Sequence, residues 1–280
     1  MKKIMLCCLL LALTLACAAE NIKVMSFNLR VCNSETQDGD NNWKFRKAAV
    51  VKMISEEKPD ILGTQEGILK MIGYMREGLP DYEEYGVGRE DGQERGECNA
   101  IFWRKDRFDC LEQHTFWLSP TPDEPSLGWD GAYKRVVTWV KLFDKINGEE
   151  VYFFNTHFDH VGKVARTEAG KMIVQKMKEL LEDKNSPVFL TGDFNSNYDS
   201  SYLKPLHDYL FNARETAEVT NDLNTFNRFG KIALDSPRTH IIDHIFFINA
   251  IPLEYRILTG YYGVMWLSDH YPITCEFSGF

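Results

Sequence analysis

The sequence predicts an α/β protein in which two sheets pack face to face with helices outside. Three observations carry that expectation. Short β-rich runs outnumber helical patterns, hairpin signals occur beside crossover-length units, and one long segment, 165–181, carries a clear apolar helical stripe.

The elements follow in chain order. Ile22–Asn28 is a strand candidate, and 45–57 reads as a helix that Pro59 terminates, because proline has no N–H to continue the ladder. Ile61–Gln65 is again strand-like, and 68–79 is helical. Segments 100–103, 108–116, 136–143 and 151–157 are strands separated by turn residues, with Asn147-Gly148 as a hairpin signal before the last. In 165–181, Ala169, Met172, Ile173, Met177, Leu180 and Leu181 share one face, so the methionines are core filler. Val188–Asp193, 241–247 and 274–277 complete the strands, with a helix near 201–210. The proline-rich stretch 119–131 is a long loop, a kind of segment that often carries function.

A chain of 280 residues, 44% apolar and 26% charged, is long enough for a large core and fits one domain over 19–280, expected to be a monomer. Residues 1–18 differ in kind. Lys2 and Lys3 precede the apolar run 4–16 and the small residues Ala16-Cys17-Ala18-Ala19, the pattern of a secretory signal peptide. The expected location is therefore periplasmic or secreted. Leu15-Ala16-Cys17 leaves open a lipoprotein signal over 1–16, with Cys17 acylated and the protein tethered to a membrane, although Thr14 departs from that pattern. Outside the signal lie Cys32, Cys98, Cys110 and Cys275, with no CxxC pair; buried free thiols are expected, with a Cys98–Cys110 bridge as the alternative. The net charge of −9 argues against a broad basic face for duplex DNA, but not against a nuclease whose bound cations supply charge locally.

Polar residues gather at the C-terminal ends of the apolar strands. In "PVFLTGDFNSN", Asp193 and Asn195 are two apart, so an extended chain points both to one side and Phe194 to the other. Asn28 ends "KVMSFN", Glu66 follows "DILGTQ", and His157 and Asp159 end "VYFFNTHFD". Asp243 and His244 stand in "IIDHIFF", and Asp269 and His270 follow "VMWLS". Any one of these reads as well as a turn former, a helix-start acid or a hydrogen-bonded histidine. The shared context of all of them is what points to a site.

The ordered motifs "SFNLR", "TQE", "NTHFDH", "TGDFNS", "IDHIFF" and "SDHYP", from Ser26 to Pro272, resemble the endonuclease/exonuclease/phosphatase superfamily, whose fold is that of pancreatic-type deoxyribonuclease. The resemblance implies a four-layer α/β/β/α sandwich of two mixed sheets and metal-dependent hydrolysis of phosphate esters. It implies Glu66 as the principal ligand of Mg²⁺ or Mn²⁺, Asp269 as a direct or water-mediated ligand, and Asn28 beside them. Asp193 would accept the proton of the attacking water, and Asn195 would orient that water or a phosphate oxygen. His157 and His270 would contact phosphate oxygens, with Asp243 holding the His270 ring and favouring its charged form. Hard oxygen ligands suit Mg²⁺, which keeps several waters; a zinc site from His157, Asp159 and His160 is the lesser alternative. His244 is expected to point away from the centre.

Substrate contacts are less defined. Arg89, Arg95 and Arg104 flank glycine turns, and "GECNAIFWRKDRF" resembles the deadenylase branch of carbon catabolite repressor-type enzymes and nocturnin. The loop "FWLSPTPDEPSLGWDGAYKR" offers Trp117, Trp129, Tyr133 and Arg135 among acids that would repel a long polyanion, and Asp159 either reaches the site or buttresses it. Trp43 and Phe226 are further candidates for the cleft rim. The sequence thus supports an exported phosphoesterase, with a nuclease or 3′–5′ exonuclease acting on RNA or DNA as one alternative. The other is a non-catalytic binding protein on the same fold, which would have lost a metal acid or a catalytic histidine. No such loss is visible.

Overall fold

The computed structural model describes residues 19–181, 185–221, 223–234, 236, 237 and 239–280; the expected signal peptide lies outside the described residues. The chain begins with strand β1 (Ile22–Asn28), helix α1 (Trp43–Glu57), β2 (Ile61–Gln65), β3 (Gly67–Ile68), α2 (Leu69–Gly78), β4 (Tyr82–Tyr85) and β5 (Glu97–Cys98). It continues through β6 (Ile101–Arg104), β7 (Phe108–Trp117), β8 (Val136–Asp144), β9 (Glu149–His157), α3 (Lys163–Leu181) and β10 (Val188–Asp193). Then come α4 (Lys204–His207), β11 (Phe211–Asn212), α5 (Ala213–Thr216), β12 (Val219–Thr220), β13 (Asp243–Ile248), β14 (Ile251–Ile257) and β15 (Ile273–Ser278).

These strands form one sheet of order β12-β14-β15-β1-β2-β6-β4 and a second of order β11-β13-β10-β9-β8-β7, with β3 and β5 paired separately. Both large sheets are mixed. β1 runs parallel to β2 and antiparallel to β15, while β10 runs parallel to β9 and antiparallel to β13. Ile22, Val24, Ile61, Phe153, Phe189 and Phe277 fill the space between the sheets. The first sheet packs its other face on α1 and α2 through Met25, Phe27, Val50, Met53, Met71 and Met75. The second covers α3 through Phe154, Leu190, Ile173 and Met177. This is the expected four-layer α/β/β/α sandwich.

Helix boundaries are set by capping residues that lie outside the apolar pattern. Asn42 accepts the Lys44 N–H at 3.1 Å and starts α1 earlier than its apolar pattern does. Asp130, from the long proline-rich loop, accepts the N–H groups of Lys163, Val164 and Ala165 at 3.0, 3.2 and 2.8 Å, so α3 begins at Lys163 rather than 165. The start of the expected 68–79 helix is instead extended chain, because Gly67–Ile68 pairs with Glu97–Cys98. The helix expected near 201–210 is a 3₁₀ turn, Ser201–Leu203, followed by the short α4. Asn147 and Gly148 do lie in the β8–β9 hairpin, within a four-residue loop closed by the Gly148 N–H on Asp144 O at 2.7 Å. All four described cysteines are free, so Cys98 and Cys110 do not bridge.

The two sheets approach most closely beneath the strand ends. A Cβ on Gly63 would overlap the Thr191 hydroxyl and lie 2.6 Å from Asn155 Oδ1, so only glycine fits there. The same spot holds a buried polar network. Gln65 Nε2 donates to Asn155 Oδ1 at 2.7 Å, Asn155 Nδ2 to Thr64 O at 2.7 Å, and Thr191 Oγ1 to Asn155 Oδ1 at 3.1 Å. Apart from Gln65 Oε1, which has no partner, the network is satisfied and fixes the register of one sheet on the other.

Candidate active site

Strand register builds the centre. Asp193 is directly opposite His157 on β9 and opposite Asp243 on β13, so three of the expected residues stand in one row across the second sheet. On the first sheet, Asn28 is opposite Gln65, which puts Glu66 just past the same edge. The Asn28 amide joins the two sheets, donating to Asp193 Oδ2 at 2.9 Å and to Glu66 Oε1 at 3.1 Å. Glu66 also accepts the Val31 N–H at 2.8 Å.

Backbone strain collects here. Arg30, Glu66 and Asn195 all hold left-handed conformations, with φ of 58, 59 and 48°. A non-glycine residue pays about 1–3 kcal/mol for such a conformation. At Asn195, left-handed backbone ends the alternation of β10 and lets its N–H return to Asp193 Oδ1 at 2.9 Å. Phe194 is fully buried, edge-on to Phe158 and Phe246 at 4.8 and 5.2 Å.

The electrostatics separate the two histidines. His270 Nδ1 bonds Asp243 at 2.8 Å, and its Nε2 lies 3.6 Å from Asp193 Oδ2. Burial opposes charge on this ring, but Asp243 and then Asp193 outweigh it and push its pKa up to about 10. His270 is therefore an imidazolium at neutral pH. His157 is held well below the usual range, first by burial and then by the like charges of Arg135 and Arg89. Asn195 Nδ2 donates to Phe158 O at 2.9 Å and faces His157 Nε2 at 3.0 Å, which makes that nitrogen the acceptor of a neutral ring. Asp193 is raised far above the ordinary carboxylate range, chiefly by burial, against the opposing charge of His270.

The acids form a set that suits a hard cation. Ligand atoms of Glu66, His157 and Asp193 lie within 4.8 Å of one another, as do those of Asp193, Asp243 and His270. Asp269 is buried with its pKa raised by that burial, against the opposing charges of His270 and of Arg30, which lies 3.7 Å away. Glu66, Asp193 and Asp269, gathered with the Asn28 amide at one edge of the sandwich, are a donor set that fits a divalent ion with oxygen ligands. The zinc set proposed from His157, Asp159 and His160 does not assemble. Asp159 spends both oxygens on the N–H groups of Ala132, Tyr133, Val161 and Gly162, at 2.8–3.1 Å, and His160 stacks on Tyr133 at 5.7 Å. Asp159 is a loop staple.

Other expectations divide. Arg89 sits beside the centre but is forked onto Glu97 at 2.7 and 2.8 Å. Arg135 is buried, with Nε and Nη1 free of hydrogen-bond partners and Asp159 3.7 Å away. Arg95 is exposed and tied to Asp91 at 3.0 Å, and Arg104 is bound to Asp60 and Asp106; neither joins the site. Trp129 is half-buried in a left-handed turn of its loop, and no contact links it to the centre among the described residues. Trp43 is core, packed on Tyr74, whereas Phe226 does lie against His270 at 4.8 Å. His244 points away, as expected, its Nε2 donating to Ser196 O at 2.9 Å.

Two neighbours escaped the sequence. Glu97 Oε2 lies 3.9 Å from His157 Nδ1 and forks with Arg89, yet its strand is two residues long and has no periodicity to read. Arg46 is buried within a helix face and donates to the carbonyls of Leu29 and Leu267, bracing the loops that carry Glu66's neighbours and Asp269.

A two-sheet sandwich with this acid–imidazole cluster defines a hydrolase acting on phosphate-ester bonds. The chain belongs to the endonuclease/exonuclease/phosphatase family, whose model matches residues 25–270. It resembles an endonuclease/exonuclease/phosphatase family protein from Bacteroides thetaiotaomicron at 38% identity and a TM-score of 0.86, over 92% of this chain and 98% of that one. It is also similar to a mannosyl-6-phosphatase of the same species, at 38% identity and a TM-score of 0.85, over 91% and 99% of the two chains. The human nocturnin catalytic domain shares the fold, at 19% identity and a TM-score of 0.68, over 92% and 93%.

Proposed function

We propose that the protein is an exported, divalent-metal-dependent phosphoesterase that hydrolyses a small sugar phosphate. One observation carries the choice of a small substrate. Of the arginines at the centre, Arg30 is neutralised by Asp38 and Arg89 by Glu97, and Arg135 is buried, so they offer no exposed track for a polyanionic backbone. The likeness to a chain named a mannosyl-6-phosphatase supports the same choice.

Glu66 and Asp269, with Asn28 beside them, would hold the divalent cation, which would supply positive charge against the phosphate. Asp193 accepts the proton of the attacking water, a role that a carboxylate with a raised pKa suits. His270, kept cationic by Asp243, donates to a phosphate oxygen and stabilises the charge that develops in the transition state. Asn195 holds neutral His157 in place, and the charge of buried Arg135 helps keep that ring neutral. Export follows from the signal pattern in residues 1–18, and N-terminal sequencing of the secreted or periplasmic protein checks it.

A phosphoester panel with Mg²⁺, Mn²⁺ and EDTA tests the reading. Hexose phosphates should be turned over with either ion, lost with EDTA and lost in Glu66→Gln. Faster hydrolysis of oligonucleotides would favour the nuclease alternative, to which the deadenylase-like strand segment points. Inactivity on every ester with every metal would leave the non-catalytic binding protein.

A further inference from the structure

A second cavity adjoins the catalytic centre. It has a volume of about 230 Å³ and is lined by His270 itself, by the rings of Tyr261, Trp266 and Tyr271, and by polar Asn227 and Thr259. That space equals roughly eight waters. Among the described residues, the lining carries no aspartate, glutamate, lysine or arginine.

The aromatic wall is built, not incidental. Arg228, Phe229 and Gly230 are three successive left-handed residues, with φ of 51, 53 and 77°. This strained turn places the N–H groups of Asn227 and Arg228 on Asp269 O, at 2.8 and 2.9 Å, and sets Gly230 against Trp266. A Cβ on Gly230 would overlap the indole, so the turn and the ring fit only with glycine. Tyr271 meets Trp266 at 6.1 Å between ring centroids. Tyr261 and Met265, at 76% and 74% exposure, are left open at the mouth. Consecutive strained residues beside catalytic ones commonly mark a functional feature.

We infer that this cavity is the leaving-group subsite, and that it takes the neutral, hydroxylated ring of a pyranose whose phosphate lies at the catalytic centre. Aromatic rings cover the apolar C–H face of a sugar, and the hydroxyl groups of Thr259 and the tyrosines meet its hydroxyls. His270 is the one cation of this lining and serves the reacting phosphate, so the rest of the wall suits a neutral ring and gives no counter-charge to the next phosphate of a nucleic acid. Continuity through His270 ties the cavity to the reacting ester. The inference rests on the phosphoesterase reading and names the part of the substrate that reading leaves open.

Steady-state kinetics on mannose 6-phosphate, glycerol 3-phosphate and a nucleoside 5′-monophosphate test it in the wild type, Tyr261→Ala, Trp266→Ala and Trp266→Phe. Both alanine variants should raise KM for mannose 6-phosphate about tenfold with kcat within about twofold, and Trp266→Phe should recover part of the loss. The loss in kcat/KM should be several times larger for the hexose phosphate than for ringless glycerol 3-phosphate. Tyr261 is exposed, so its removal reports on the cavity without disturbing the core. Equal losses on both esters, or none in either alanine variant, would overturn the subsite. A loss confined to the nucleotide would reassign it to a base. Wild-type turnover of glycerol 3-phosphate separates these outcomes from failure of the phosphoesterase reading itself, in which no ester is hydrolysed.

Discussion

The side-chain amide of Asn28 donates to Asp193 Oδ2 at 2.9 Å, across 165 residues of sequence and between the two sheets. A neutral donor at this point adds a hydrogen bond without adding to the negative charge of Asp193, Glu66 and Asp269. Asn28→Asp should therefore raise the pKa of Asp193 further. A base works when deprotonated, so the acid limb of the pH–rate profile should move to higher pH, with activity at pH 6 lost before activity at pH 8. An unmoved limb would show that Asp193 is not the base.

His270 depends on Asp243 for its charge. In Asp243→Asn the ring loses its nearest carboxylate, at 2.8 Å, and its pKa falls from about 10. The cation is present below that pKa, so the alkaline limb should shift to lower pH and activity at pH 8 should drop on the order of a hundredfold. Ring-proton NMR titration of His270 in the two proteins measures the shift directly, and equal pKa values would refute the pairing.

Buried His244 predicts an acid-sensitive fold. Its Nε2 donates to Ser196 O and its Nδ1 accepts from Asn212, so a second ring proton would face a donor. Burial accordingly lowers its pKa to about 4. The unfolded ring titrates near 6.5, so between the two values the unfolded state binds more protons and stability falls as pH falls. The loss is on the order of 3 kcal/mol by pH 4. Urea unfolding of wild type and His244→Gln at pH 7 and pH 4.5 should show a smaller pH dependence in the variant.

Gly63 is predicted to tolerate no side chain. An added Cβ would push into Thr191 and Asn155, where the sheets are closest and the polar network is fully buried. Gly63→Ala should cost about 1–3 kcal/mol, the usual range for an overpacked core. A denaturation midpoint equal to wild type would mean that the sheets can separate without cost.

The sequence by itself determined the sandwich and its central strands. Ile22–Asn28, Ile61–Gln65 and Val188–Asp193 were legible to the residue, because each buried strand opens on β-favouring apolar residues and closes where polar residues gather. The same rule made Asn28, Glu66, His157 and Asp193 readable at strand ends, whereas Asp243 and His270 reach the same edge from the N-terminal ends of the antiparallel strands β13 and β15. Two strands without a clean apolar face were not legible. Tyr82–Tyr85 is half-exposed, and Ile251–Ile257 contains Pro252 beside an irregularity in its pairing, so neither carries a clean alternation. The partners of the charged groups were decided only by tertiary structure. Glu97 meets Arg89 and nears His157 because Gly67–Ile68 pairs with its two-residue strand, and Asp159 became a staple because a distant loop brings it N–H groups. Local periodicity records which face of an element is buried, but an ion pair or a cap depends on chain segments brought together from far apart, and no local pattern encodes that.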